Sequence, residues 1–206
     1  MTIAIIDYGM GNVRSLMNAF EYIGEDATVT ADFDELEAAD RLVLPGVGAF
    51  GDAMKSIDAK GLRPVLNRLA LEMKKPVLGV CLGMQLFARV SHEHGTHQGL
   101  GWLDAEILPL KVAPPAKVPH VGWNAVSFAA DEWLFKGLPS GESDYYFVHS
   151  YHMVCRDPAD LAGTTDHGGP VTAAVCRGNL VATQFHPEKS QDNGLQLLQN
   201  WLAHEF

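Results

Sequence analysis

Pro76-Val77-Leu78-Gly79-Val80-Cys81-Leu82-Gly83-Met84-Gln85 is the stretch from which the rest of the chain can be read. Pro76 to Val80 is a short apolar run, the pattern of a strand buried on both faces. Leu82 to Val90 reads as a helix. A cysteine therefore stands on a strand-to-helix turn with a glycine two residues to either side. Such glycines permit a tight, crowded turn that lifts the sulfur clear of the chain, the cysteine counterpart of a Gly-x-Ser-x-Gly nucleophile elbow. A thiol at a helix N-terminus feels the positive end of the helix dipole, which favours the thiolate. The N–H of Leu82, without an intrahelical partner, can donate to a developing oxyanion.

Outward from this turn, strands and helices alternate. Ile3 to Ile6 reads as a buried strand, and Leu16, Ala19, Phe20 and Ile23 recur at helical spacing after it. Arg41 to Leu44 is a second buried strand, closed by Pro45-Gly46, with helices expected near Ala49 to Ile57 and from Leu62 to Met73. That alternation predicts an α/β fold: a central parallel sheet flanked by helices. Beyond residue 100 the pattern changes to short strands, at Ala105 to Leu108, Tyr145 to Val148, Met153 to Cys155, Thr172 to Cys176 and Leu180 to Thr183. Gly178-Asn179 is a hairpin signal between the last two. Antiparallel strands appended to the parallel sheet, making it mixed, are expected. A final helix near Asn193 to Ala203 puts Leu195, Leu198, Trp201 and Leu202 on one face. With no linker and no repeat, one domain over 1–206 is expected.

Composition limits the function. A formal net charge of -10 argues against a nucleic-acid or anionic-membrane surface. No apolar run approaches the ~20 residues that span a bilayer, and the first residues lack the basic region of a signal peptide. Cys81, Cys155 and Cys176 are an odd count at irregular spacing, which suggests a reducing, cytoplasmic setting rather than a disulfide framework. Cys155 and Cys176 lie within strand patterns and read as small buried residues.

The partner for Cys81 lies about a hundred residues on, in His186-Pro187-Glu188. Residues i and i+2 of near-extended chain point the same way, so the imidazole and the carboxylate can project together. The carboxylate would fix the ring tautomer and support its charged form. Cys81, His186 and Glu188 thus supply a nucleophile, a base and an orienting acid, the set needed for acyl transfer through a thioester. Pro45-Gly46-Val47-Gly48-Ala49-Phe50-Gly51 lacks the Lys-Ser/Thr of a phosphate loop, and Gly9-x-Gly11 is a poor dinucleotide fingerprint. N–H groups near Val47 and Gly48 are the better candidates for a second oxyanion donor. His92, His94 and His97 have no matching ligand spacing and read as a solvated loop, so neither a metal nor a cofactor is expected. Pro119 to Asn124 reads as a loop whose Trp123 contacts a partner or ligand, or packs.

These motifs resemble those of the triad-type (class I) glutamine amidotransferases, flavodoxin-like in fold. Gly79 to Gln85 resembles the family's nucleophile segment and Gln184 to Ser190 its histidine-glutamate segment. Asp7 to Asn12, Pro45 to Phe50, Pro119 to Asn124 and Tyr146 to Tyr151 resemble, more narrowly, the glutaminase subunits of imidazole glycerol phosphate synthases. The segment Ala159 to Pro170 matches least. The resemblance implies L-glutamine as substrate, with Gln85 binding it and the backbone of Ser150 and Tyr151 holding its amino-acid end. It also implies a (β/α)₈ cyclase subunit as partner in histidine synthesis, with Trp123, Asn124 and Lys189 as interface candidates. Amidotransferase subunits serving other synthases, a peptidase of the same fold and a silent scaffold are the alternatives. Asp7 to Asn12 and His120 to Asn124 speak against the first, Gln85 against the second and the intact triad against the third.

Overall fold

The computed structural model describes residues 1–139 and 141–206. Its first half holds strands β1 (Ile3–Ile6), β2 (Ala27–Thr30), β3 (Arg41–Leu44) and β4 (Val77–Val80). Helices α1 (Val13–Tyr22), α2 (Phe33–Ala38), α3 (Phe50–Ala59), α4 (Leu62–Asn67) and α5 (Leu82–Gln85) follow or connect them. The second half adds β5 (Val90–Ser91), β6 (His97–Gln98), β7 (Ala105–Pro109), β8 (His120–Ser127), β9 (Glu142–His149), β10 (Tyr151–Cys155), β11 (Leu161–Asp166), β12 (Pro170–Arg177), β13 (Leu180–Thr183) and α6 (Gln191–Ala203).

The main sheet has nine strands in the order β2-β1-β3-β4-β13-β12-β11-β8-β9. Its first five strands are parallel, and the rest pair antiparallel. The parallel part has the flavodoxin-like order, and the appended antiparallel strands make the sheet mixed, as expected. A second sheet, β10-β7-β5-β6, has four strands. Because β1, β3, β4 and β13 are buried on both faces, alternate residues serve two cores. Ala4 and Ile6 face a cluster with α2, α3 and α4, whereas Ile3 and Ile5 face one with α1 and α6.

Three expectations need correction. The helix expected over 82–90 is a single turn, α5. The carbonyls of Leu86, Phe87 and Ala88 accept hydrogen bonds from the N–H groups of Leu100, Leu103 and Gly101, and Arg89 N–H already donates to Ala105. The chain after Gln85 is therefore claimed by tertiary bonds before a helix can continue. His120 to Asn124, expected as a loop, belong to β8, which pairs with β9 over eight residues despite a φ of +127° at Gly122. Finally β2, α2, β5, β6 and β11 are not among the elements expected from the sequence, and the half-exposed burial of β2 suits its place at the sheet edge.

Candidate active site

Steric crowding builds the cysteine turn. Cys81 has φ +56° and ψ −110°, a backbone that residues with a side chain rarely adopt. Its N–H donates to the Thr183 carbonyl of β13 at 2.8 Å. A Cβ at Gly83 would lie 1.8 Å from the Leu44 carbonyl oxygen, and one at Gly46 would lie 2.7 Å from Leu82 Cβ. Chain leaving β3 is thus pressed against the turn with no room for side chains. Tyr8, buried at the end of β1, donates its hydroxyl to the Pro45 carbonyl at 2.7 Å, and Ser56 Oγ donates to the Tyr8 carbonyl. Burial, with the charge of Cys81 added, pushes the Tyr8 phenol up, so it stays a donor.

His186 comes from the far side, just after β13, at the start of a 3₁₀ turn over Pro187–Lys189. Its N–H donates to the Tyr146 carbonyl at 2.9 Å, and its carbonyl accepts from Ser190 Oγ at 2.6 Å. Nδ1 lies 2.7 Å from Glu188 Oε1, with both side chains almost fully buried. Burial alone would lower the imidazole pKa, but its contacts with the Cys81 thiol and Glu188 outweigh that and raise it to about 9. The thiol contact is loose: Nε2 has no partner at hydrogen-bond geometry. Such bonds often tighten only once substrate is bound. With α5 only four residues long, its dipole is weak, and the His186 imidazolium is the main positive charge beside the sulfur.

Cys81 and His186 line one cavity of about 320 Å³ with Val47, Gly48, Leu82, Gln85, Ser150 and Tyr151. Glu188 sits behind His186. The structure therefore brings together the residues singled out for the nucleophile, oxyanion and substrate roles. Gly48 has a φ of +92°, and Val47 is exposed. Gln85 Nε2 donates to the Tyr151 carbonyl and to Gln184 Oε1, each at 3.0 Å. Gln184 Nε2 in turn lies 3.9 Å from Cys81 Sγ. Glu93 and His149 also line the cavity, and sequence reading missed both. Glu93 Oε2 accepts from the Phe50 N–H at 2.6 Å. It lay one residue from His92 and His94, and attention to the histidines hid it. Those two are exposed, while His97 packs against Gly51.

The interface candidates divide. Trp123 lies on the outer face of β8, edge-on to Tyr146 at 6.2 Å, with Lys189 Nζ 6.0 Å from the Tyr146 ring. Val121, paired with Val148, extends this exposed apolar patch. Asn124 is on the opposite face, where its Nδ2 donates to the Asp166 carbonyl at 2.8 Å.

A family model described as "Glutamine amidotransferase class-I" matches residues 4–204. The chain belongs to this family. Among the amidotransferases similar to it is "Imidazole glycerol phosphate synthase subunit HisH 2" of Nitrobacter winogradskyi, 47% identical, covering 97% of this chain and 97% of that one. "Imidazole glycerol phosphate synthase subunit HisH" of Zymomonas mobilis is 48% identical, over 98% of this chain and 95% of its own. Its namesake in Aquifex aeolicus is 46% identical, over 98% and 96%. Two solved structures share the fold. A chain of PurLQS from Thermotoga maritima has a TM-score of 0.75 at 18% identity, covering 98% of this chain and 97% of that one. A glutamine amidotransferase from the same organism has a TM-score of 0.65 at 18% identity, covering 98% and 80%.

Proposed function

We propose that this amidotransferase is the glutaminase subunit of an imidazole glycerol phosphate synthase. It would hydrolyse L-glutamine to glutamate and hand the ammonia to a (β/α)₈ cyclase subunit in histidine biosynthesis. The carrying observation is that Cys81 on its strained turn shares one cavity with His186, itself bonded to Glu188. The names of relatives matching nearly the whole chain support the same reading.

In this reading Cys81 Sγ, its proton taken by His186, attacks the side-chain carbonyl carbon of glutamine. The N–H of Leu82 and one near Val47 or Gly48 receive the oxyanion. Each such donor is typically worth about 3 kcal/mol in the transition state. As the tetrahedral adduct collapses, the C–N bond breaks and His186 delivers its proton to the departing nitrogen. Water, deprotonated by His186, then adds to the thioester, and glutamate leaves with the sulfur restored as thiolate beside the protonated His186. Gln85 binds the substrate glutamine, and the backbone of Ser150 and Tyr151 holds its amino-acid end. The Glu93 carboxylate is the natural counter-charge for the α-ammonium group.

Ammonia freed into water at neutral pH would mostly take up a proton and cease to be a nucleophile. A protected path into a partner avoids that loss. The apolar patch of Trp123, Val121 and Val148, flanked by Lys189, is the proposed seat of the cyclase. Asn124, facing inward, would act from behind it. No helix among the described residues is long and apolar enough to cross a membrane. We place the whole activity in one domain, 1–206, and in the cytoplasm.

The test is glutamate release with and without the cyclase and its nucleotide ligand, for wild type and Cys81→Ala. Low activity alone, strong stimulation by the liganded cyclase and a loss of at least roughly 10⁴-fold in Cys81→Ala are expected. Full activity of the isolated chain, unchanged by the cyclase, would overturn the partner reading. Turnover that survives Cys81→Ala would overturn the nucleophile.

A further inference from the structure

At one wall of the cavity, β8 and β9 enclose a pair of histidines to which the proposed chemistry assigns no task. His120 and His149 stand directly opposite each other in the strand pairing, both on the buried face, 3% and 7% exposed. Their bonding has one consistent assignment. His149 Nδ1 lies 2.9 Å from the Tyr151 carbonyl, which can only accept, so Nδ1 carries a proton. A neutral His149 then offers Nε2 as an acceptor, 3.0 Å from His120 Nδ1, so His120 is protonated on Nδ1 as well. His120 Nε2 accepts from Asn124 Nδ2 at 3.2 Å, and the second hydrogen of that amide goes to Asp166.

At the other end the path reaches the substrate site. The Tyr151 carbonyl accepts hydrogen bonds from both His149 Nδ1–H and Gln85 Nε2–H, and Gln85 leads through Gln184 to the sulfur. The His120 ring is stacked between Phe147 at 4.5 Å and His167 at 3.9 Å, which fixes its plane. Burial is the main force keeping both rings neutral; the Tyr151 carbonyl favours the charged form of His149 without outweighing burial, and the titratable neighbours, His120 and His152 for His149 and His167 for both, oppose protonation further. A buried chain in which each group has one role resists local rearrangement, because breaking one bond strands a polar atom away from water.

We propose that His120 and His149 form a positioning relay. It holds the Tyr151 carbonyl and the Gln85 carboxamide in register with β8, so that a partner seated on the outer face of that strand acts through it on glutamine binding. This rests on the glutaminase reading and extends it to how the partner is sensed. Trp123 and Asn124 are the two ends of the lever, adjacent on one strand and facing opposite ways.

The experiment measures glutamine KM and kcat, with and without the liganded cyclase, for wild type, His149→Phe, His149→Asn and His120→Phe. His149→Phe should raise KM about tenfold with kcat changed far less. His149→Asn should recover most of that loss, since its amide N–H can replace Nδ1–H toward Tyr151. His120→Phe keeps the stacking and removes the link to β8. It should cut the stimulation by the cyclase at least about threefold, more than it changes the unstimulated KM. Equal damage in His149→Phe and His149→Asn, or full stimulation of His120→Phe, overturns the relay. If wild type with cyclase releases no glutamate, the glutaminase reading falls instead. ¹⁵N NMR of the imidazoles judges the hydrogen-bond chain on its own: both rings neutral and protonated on Nδ1 at neutral pH support it, and an Nε2-protonated ring in either overturns it.

Discussion

Cys81 reaches the cavity on backbone with no space to move, whereas His186 reaches it on backbone held by hydrogen bonds. On the cysteine side the chain runs glycine against carbonyl, with Gly83 under Leu44 and Gly46 under Leu82. On the histidine side one such approach, Gly194 against the Pro187 carbonyl, is joined by side-chain bonds: Ser190 Oγ donates to the His186 carbonyl beyond β13 and accepts from the Tyr146 N–H of β9 at 3.0 Å. Crowding fixes a nucleophile in a strained conformation that no single hydrogen bond could hold. Hydrogen bonds fix a base whose charge must change during turnover, and they also set its affinity for the proton.

If crowding is what holds the cysteine arm, one methyl group should break it. Gly83→Ala places a Cβ 1.8 Å from a backbone oxygen, where no flexible side chain can give way. A destabilisation of about 3 kcal/mol or more is expected, read as a Tm lower by roughly 6–12 °C, with turnover lost. Gly24→Ala is the control: φ is +87° there, but nothing lies within 4 Å. It should cost only the backbone strain, about 1–2 kcal/mol, and leave turnover alone. An effect at Gly83 no larger than that at Gly24 would show that the Leu44 carbonyl gives way and that crowding does not hold the turn.

The histidine arm should break differently, in rate and pH dependence rather than stability. Glu188→Gln keeps the shape but removes the charge facing Nδ1. A fall in kcat of about a hundredfold is expected, short of the largest effects of such changes because the thiol contact still supports the imidazolium. His186 is held protonated up to about 9, so wild-type activity should fall as pH rises through that value. In Glu188→Gln this limb should move to lower pH. The sign follows for stability too. A folded-state pKa above the free value of 6.5 stabilises the fold below pH 6.5, and that gain is lost as pH rises through about 9. An unmoved limb would mean that Glu188 does not set the charge of His186.

The same contrast explains what the sequence disclosed. Crowding leaves a local trace, because only glycine fits, so Gly79-x-Cys81-x-Gly83 could be read without a structure. The inner parallel strands β1, β3, β4 and β13 were equally legible, since each is almost wholly apolar and buried, whereas the edge strand β2, Ala-Thr-Val-Thr, was not. Hydrogen-bonded register leaves no such trace. That His120 faces His149 depends on how β8 pairs with β9, and Gly122 disguised β8 as a loop. Glu93 depends on where the chain goes after α5, and the helix expected to Val90 would have carried it elsewhere. Residues 100–103 decide that path from a distance, through bonds no periodicity encodes.

Tyr8 gives the smallest and most discriminating test, because it adds a side-chain hydrogen bond to the arm set mainly by crowding. Its hydroxyl is held 2.7 Å from the Pro45 carbonyl, at the start of the turn that carries Val47 and Gly48. Phenylalanine keeps the buried ring and deletes only that bond, at a cost of about 1 kcal/mol or a Tm lower by roughly 2–4 °C. If the bond also aims the oxyanion donors, kcat should fall about fivefold while glutamine KM stays put, since a donor that acts on developing charge matters little to ground-state binding. The rate at which 6-diazo-5-oxonorleucine labels Cys81 should fall in parallel. A lower Tm with kcat and labelling unchanged would mean that glycine packing alone positions the turn and that the phenol merely fills its place beneath it.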